Sequence, residues 1–232
     1  LLRLAVRQIM AACKLVIKKN GEILYITKEC LSNGCAATVD VAYPTIPFFL
    51  LYNPALAEAM IRPIYEYVRS GKWPYEFAPH DLGTYPILNG QVYGSGFKMS
   101  MQMPVEECGN MLIMTAAVTK AVGSGRLFTE YRDIADRWAK YLSEFGADPD
   151  NQLCTDDFAG HLAHNCNLSL KAISGIAGMG IICEKLGRGD MSASYFDSAR
   201  KLSINWLLRA QNGDGSYRLA FDRKGTYSMK YN

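Results

Sequence analysis

Apolar residues recur at helical spacing in four segments that each keep one polar face. The spacing predicts amphipathic helices over 2–17, 54–68, 131–145 and 190–210. We expect Gly146 to stop the third helix and Asp190 to cap the fourth. Three further segments are apolar or small on nearly every side, and such helices are buried. These segments are 46–52, 111–118 and 168–182.

Start signals support two of the buried helices. Pro104, followed by Glu106 and Glu107, predicts the beginning of the second, and Asn165 or Asn167 that of the third. Buried and amphipathic helices therefore alternate with a period of about 60 residues, although no sequence repeat accompanies it. This order predicts an all-α fold, an (α/α) toroid of inner and outer helical hairpins.

The number of hairpins indicates a partial ring, because a closed toroid needs about twice as many. The sequence of 232 residues also begins at Leu1 rather than at a methionine. We therefore expect residues 1–232 to form one partial toroid domain, a fragment of a longer multidomain chain. The remaining domains of that chain would then be its partners.

Composition narrows the class of protein. Hydrophobic residues make up 49% and charged residues 20%, which excludes a disordered or collagen-like chain. A net charge of +3 without a cluster of basic residues argues against a nucleic-acid partner. Apolar runs are too short to predict a membrane span. Seven cysteines, an odd number without a Cys-x-x-Cys pair, indicate neither a disulfide framework nor a zinc knuckle. Two Gly-Ser-Gly segments lack the signature of a phosphate loop, and we expect no cofactor.

The loops before the inner helices should share one rim of the toroid. They cover 32–44, 72–104 and 148–164 and carry most of the unusual polar residues. Carboxylates that meet across a pocket suit hydrolysis, because one acid can donate a proton while another carboxylate activates water. The candidates are Asp40, His80, Asp81, Glu106, Glu107, Asp156, Asp157, His161 and His164.

Each candidate also has a structural interpretation. Glu106 and Glu107 lie in a first helical turn, where the helix dipole favours acids without any function. Asp81 could orient His80 as a general base, although His-Asp neighbours are common in loops. Asp40 interrupts an apolar segment, where a charge usually has a purpose or a buried partner. Asp156 and Asp157 could instead belong to a turn or a helix cap. Aromatic residues of the rim loops, such as Tyr85, could serve in packing.

His161 and His164 are three residues apart, which on a helix would place both imidazoles on one face. Cys154 or Asp157 could then complete a zinc site, but no known signature does so, and hydrogen-bonding histidines are favoured. Cys154 as a nucleophile with one of these histidines is a weaker alternative. The segment 212–215 predicts a turn, and calcium there is a weak alternative.

At these loops the sequence resembles the glutaminase A family of fungi and its many bacterial relatives. Four motifs occur in order, at 38–44 (TVDVAYP), 80–86 (HDLGTYP), 103–111 (MPVEECGNM) and 153–165 (LCTDDFAGHLAHN). The resemblance implies a six-hairpin toroid like those of several glycoside hydrolases, in a secreted or periplasmic protein. It also implies hydrolysis of L-glutamine to glutamate and ammonia.

The hypothesis is therefore a secreted hydrolase with a small-molecule or oligosaccharide substrate. Acid and base candidates are Asp40, Asp81, Glu107 and Asp157. Substrate-binding candidates are His80, Tyr85, Glu106, Asp156, His161, His164 and Asn165. Two alternatives stay open, a glycoside hydrolase with the same carboxylates and a non-catalytic carbohydrate-binding module.

Overall fold

Helices form most of the regular structure in a computed structural model of the protein, which describes residues 1–29, 33–155 and 159–227. In chain order they are α1 (Leu2–Ala11), α2 (Val39–Tyr52), α3 (Pro54–Arg69), α4 (Gly94–Phe97), α5 (Pro104–Val122), α6 (Arg126–Glu130), α7 (Arg132–Phe145), α8 (Cys166–Lys185) and α9 (Gly189–Ala210). A 3-10 turn at Met99–Met101 follows α4. Strands β1 (Cys13–Ile17) and β2 (Ile23–Thr27) pair antiparallel, with Cys13 opposite Thr27.

Inner and outer helices alternate as predicted. Helix α5 packs against α2 on one side and α8 on the other, and its residues are buried around most of its circumference. Helices α3, α7 and α9 cover these inner helices from outside. The prediction of an all-α, toroid-like arrangement of helical hairpins is confirmed.

Most predicted helix starts agree with the structure. Pro104 is the first residue of α5, where its missing N–H costs nothing. Asn165 caps α8, because its side-chain oxygen accepts the N–H groups of Asn167 at 2.8 Å and Leu168 at 3.2 Å. Asp190 lies inside the first turn of α9 rather than at its cap, so that expectation was wrong.

Gly146 ends α7 for a different reason from the one expected. Its φ is −86°, so it does not adopt a left-handed turn. A Cβ atom at this position would lie 2.3 Å from the Cβ of Ala172 on α8. Close packing of the two helices therefore requires the glycine.

The predicted helix over 2–17 is wrong beyond Ala11, because residues 13–17 form β1. The signal missed was the Asn20-Gly21 turn, in which Gly21 has a φ of +83° and its N–H donates to the Lys18 carbonyl. Strand β2 packs on α3, so tertiary contact stabilises the hairpin.

Helix α2 begins at Val39 rather than at Ile46, although Pro44 and Pro47 lie within it. Proline removes a backbone donor from a helix. The hydroxyl of Thr45 donates to the Val41 carbonyl at 2.7 Å, and packing against α3 and α5 holds the helix in place. Asp40 consequently lies in the first turn of an inner helix and not in a loop.

Helix α8 has the length and hydropathy of a membrane span, although none was predicted. It packs between α5 and α9, and 72% of its most apolar window is buried inside the fold. This burial is that of a core helix.

Candidate active site

Polar side chains converge where the inner helices α2 and α5 begin. Asp40 comes from the first turn of α2, Glu106 and Glu107 from the first turn of α5, and His80 and Asp81 from the loop after α3. We call these five residues the acidic cluster. Two of them, Asp40 and His80, line a pocket of about 280 Å³. Its lining residues are Glu29, Asn33, Asp40, Val41, His80, Tyr93, Met103, Cys154 and Thr155.

Asp81 fixes the orientation of His80. Its Oδ2 lies 2.9 Å from His80 Nδ1 and also accepts the N–H of Tyr93, while its Oδ1 accepts the N–H groups of Gly83 and Val92. Burial opposes ionisation, but the hydrogen bonds from His80 and the backbone hold the pKa of Asp81 below its usual value. Because Asp81 is ionised, Nδ1 is the ring nitrogen that carries a proton. Nε2 lies on the other side of the ring, away from Asp81.

Asp40 faces the other side of the imidazole. Its Oδ1 lies 3.6 Å from His80 Nε2, which is beyond hydrogen-bond distance. Burial raises the pKa of Asp40, whereas the nearby His80 lowers it; the net direction is upward. Burial depresses the pKa of His80, but Asp81 and Asp40 outweigh that effect and raise it. The Tyr93 ring stacks on the imidazole at 4.1 Å between centroids. Asp40 and His80 thus face each other without a direct hydrogen bond.

Thr155 joins Asp40 to Glu106. The two Glu106 oxygens accept its N–H and its hydroxyl, each at 2.7 Å, and the same hydroxyl lies 3.2 Å from Asp40 Oδ2. A hydroxyl has one proton to donate, and the shorter distance assigns it to Glu106. Thr155 thus holds two carboxylates from different helices in a fixed relation.

Glu107 is deeply buried, with 1% of its surface exposed. Its Oε2 accepts a hydrogen bond from the Asn110 side chain at 3.2 Å. Burial and the charges of Asp40 and Glu106 raise the pKa of Glu107 well above its usual value. A proton or another cation is therefore needed beside it.

Lys171 reaches the cluster from α8 and was missed in the sequence. Its Nζ donates to Asn110 Oδ1 at 2.8 Å, lies 3.9 Å from Glu106 Oε1 and sits 3.8 Å from the centre of the Tyr43 ring. Burial lowers the pKa of Lys171 against the opposing effect of the nearby acids. The available signal was one lysine inside a segment that is otherwise apolar on every side, because such a charge requires a partner.

Comparison with known proteins places the chain among proteins with this fold. Residues 1–232 match the family described as the glutaminase A six helical-hairpin domain. The chain belongs to the glutaminase A family. It is 36% identical over 233 residues to Glutaminase A of Aspergillus oryzae, covering 99% of this chain and 33% of the relative. It is 30% identical over 288 residues to a probable glutaminase of Arthroderma benhamiae, with the same shares covered.

The chain thus spans about a third of the length of these glutaminase A relatives. Both relatives are fungal, and the comparisons give no support to the expected bacterial origin or to export. The family resemblance inferred from the four motifs is confirmed. Each motif supplies the cluster or its link Thr155, and the fold brings them together.

Other predicted site residues of this glutaminase A domain have partners elsewhere. Tyr85 is 38% exposed and lies beneath the Lys28 ammonium. His161 Nε2 lies 2.7 Å from the Ser100 carbonyl, and Asn165 caps α8. None of these three predicted residues lines the pocket. Asp156 and Asp157 lie outside the described residues.

The idea that His161 and His164 share a helix face is wrong, because residues 161–164 form an irregular turn. His164 Nδ1 pairs with Asp148 at 2.8 Å, so each histidine has its own partner. Cys154 is buried and accepts a hydrogen bond from Asn165. No disulfide joins the six cysteines among the described residues to one another, and Cys30 lies outside them. In the predicted turn at 212–215, the Asp214 carboxylate accepts the N–H of Ser216.

Proposed function

We propose that this member of the glutaminase A family is a hydrolase that cleaves the side-chain amide of L-glutamine to glutamate and ammonia. The observation that carries the proposal is the facing pair at the pocket wall, Asp40 Oδ1 and His80 Nε2, 3.6 Å apart. Among the described residues, Asp40 Oδ1 has no hydrogen-bond donor. We infer that a water molecule bound beside these two atoms donates one proton to each and presents its lone pair to the pocket.

The reaction needs one proton to be taken and one to be returned. Asp40 and His80 accept a proton from the water as its oxygen attacks the amide carbon of glutamine. The carbon–nitrogen bond then breaks, and the leaving nitrogen receives the proton back from the same pair as ammonia forms. Asp81 orients His80 and is therefore a positioning residue. Thr155 and Glu106 have the same role for Asp40. Asp157 stays a candidate for the second acid.

Pocket size and chemistry support a small polar substrate. A volume of about 280 Å³ lies just below the range for small-molecule sites, roughly 300–1,000 Å³. Carboxylates on the walls also suit glycosidic cleavage, and the glycoside hydrolase hypothesis is therefore an arm of the test.

The test is an assay of the full-length protein with L-glutamine and, separately, with a panel of oligosaccharides. Ammonia and reducing sugar are measured. We expect ammonia release that scales with enzyme, and a fall of at least about a hundredfold in turnover for Asp40→Asn, the low end of general acid–base effects. Asp197→Asn removes an exposed carboxylate on α9 and serves as the matched control.

Three results would overturn the proposal. Reducing ends without ammonia would assign the pocket to a glycoside hydrolase. Wild-type ammonia release by Asp40→Asn would remove Asp40 from the chemistry. Ligand binding that survives loss of every cluster carboxylate, without turnover, would indicate a non-catalytic module.

A further inference from the structure

Three side chains of the acidic cluster converge on one small space. Asp40, His80 and Glu107 each offer one atom that could coordinate a metal ion, and these three atoms lie within 4.8 Å of one another. His80 and Glu107 are 4% and 1% exposed. Within the described ranges, Asp40 Oδ1 and Glu107 Oε1 lack any hydrogen-bond partner. Buried acceptors without a donor are uncommon, and two beside an imidazole nitrogen point to a missing cationic ligand.

The local charge supports the same conclusion. Among the described residues, the carboxyl groups of Asp40, Glu106 and Glu107 lie near the ammonium of Lys171. That ammonium lies 3.9 Å from Glu106 and is hydrogen-bonded to Asn110. Within the described residues, Lys171 forms an ion pair with Glu106, whereas Asp40 and Glu107 have no lysine or arginine partner.

The support behind His80 is of the kind found at metal centres. A metal-binding histidine usually donates its other ring nitrogen to a carboxylate, which fixes the tautomer and the ring orientation. Asp81 does this at His80 Nδ1, at 2.9 Å, and its own oxygens are held by three backbone N–H groups. The Nε2 lone pair is therefore free to coordinate.

We propose that Asp40, His80 and Glu107 bind one divalent transition-metal ion, with the pocket supplying an open coordination position. An imidazole beside two carboxylates suits ions such as Zn²⁺ or Mn²⁺ better than Mg²⁺. Ligand bonds of about 2.1 Å in a tetrahedral site place neighbouring donors roughly 3.4 Å apart. The 3.6 Å between Asp40 and His80 matches this spacing.

Binding itself does not depend on the substrate, whereas its catalytic consequence rests on the proposed function. A bound ion would polarise the water that attacks the amide, in place of a proton shared by Asp40 and His80. Asp81 would position His80 in either case.

The experiment uses the full-length protein, stripped with EDTA, dialysed and titrated with Zn²⁺ alone. Calorimetry gives the affinity, and elemental analysis after gel filtration gives the stoichiometry. We expect one ion per chain for the wild type and less than about a tenth for Glu107→Gln. Asp81→Asn should weaken binding by about 10- to 100-fold, as loss of a ligand's supporting carboxylate does.

Asp197→Asn is the matched control, because it removes an exposed carboxylate on α9 that pairs with Lys201. It should keep one ion per chain, and His161→Ala should do the same. Asp40→Asn replaces Glu107→Gln if circular dichroism shows that the latter does not fold.

No stoichiometric Zn²⁺ in the wild type, or equal binding by Glu107→Gln, would overturn the site. Zn²⁺ binding that depends on Glu107 without ammonia release from glutamine would leave the metal site standing and reject the proposed function. Ammonia release by an enzyme that binds no ion would reject the metal site and leave the proposed function standing.

Discussion

Hydrogen bonds to both carboxylate oxygens stabilise the negative charge of Asp81. Four donors reach its two oxygens, one of them the ring nitrogen of His80. Asparagine at this position would turn an NH₂ group toward some of these N–H donors, and an NH₂ group cannot accept their hydrogen bonds. The substitution would also remove the negative charge that keeps Nδ1 protonated. We expect Asp81→Asn to lower the turnover of L-glutamine in the full-length protein by at least about a hundredfold.

The steady-state rate of ammonia release measures this effect, with kcat and KM determined separately. Because Asp81 acts through His80 and does not line the pocket, the loss should fall on kcat. Asp133→Asn, which removes the exposed partner of Arg69, is the control. Normal kcat in Asp81→Asn would show that the orientation of His80 is irrelevant to the reaction.

At the scale of elements, the contact between α5 and α8 depends on glycine. A Cβ atom on Gly109 would lie 2.5 Å from Lys171 Cγ and 2.9 Å from the Lys171 carbonyl oxygen. The backbone of α8 cannot retreat without moving Lys171 from Asn110. We expect Gly109→Ala to reduce the free energy of unfolding by about 1–3 kcal/mol, as overpacking does, and to reduce turnover as well.

Urea unfolding of the purified variant gives the stability change. Gly189→Ala is the matched control, since a Cβ atom there meets nothing within 4 Å at the start of α9. Alanine at that position should be neutral or slightly stabilising. A Gly109→Ala protein as stable as Gly189→Ala would contradict the close approach.

Helix type and order could be predicted from the sequence, because a buried helix and a half-exposed helix differ in periodicity wherever they occur. The hairpin of β1 and β2 could not, since the apolar spacing of residues 13–17 fits a helix as well as a strand. Its contact with α3 decides between them. The start of α2 was missed because two prolines favour a loop locally, whereas packing against α3 and α5 stabilises the helix.

At the scale of the whole molecule, the candidate site is assembled from distant parts of the chain. Thr155 and Asp40 are separated by 115 positions and lie within hydrogen-bond distance. That polar residues of distant loops meet could be predicted, because the loops before inner helices share one end of the fold. The prediction covered too many residues. It could not predict Lys171, which projects from within α8, nor separate the clustered acids from His161 and His164, which lie in the same loops.

A second buried charge ties the outer elements together away from the pocket. The Arg62 side chain of α3, 4% exposed, contacts Glu22 before β2 at 3.0 Å, Glu58 at 2.7 Å and Glu130 at the end of α6 at 2.9 Å. Arg62→Met leaves three carboxylates facing one another, and because they are partly exposed we expect a loss of about 3 kcal/mol, the low end for a broken buried pair. Arg132→Met breaks only an exposed pair with Asp136 and should cost less than about 1 kcal/mol. Urea unfolding of both variants measures the difference; equal losses would mean that the Arg62 contacts are no stronger than those of a surface ion pair, and that packing alone holds the hairpin to the helices.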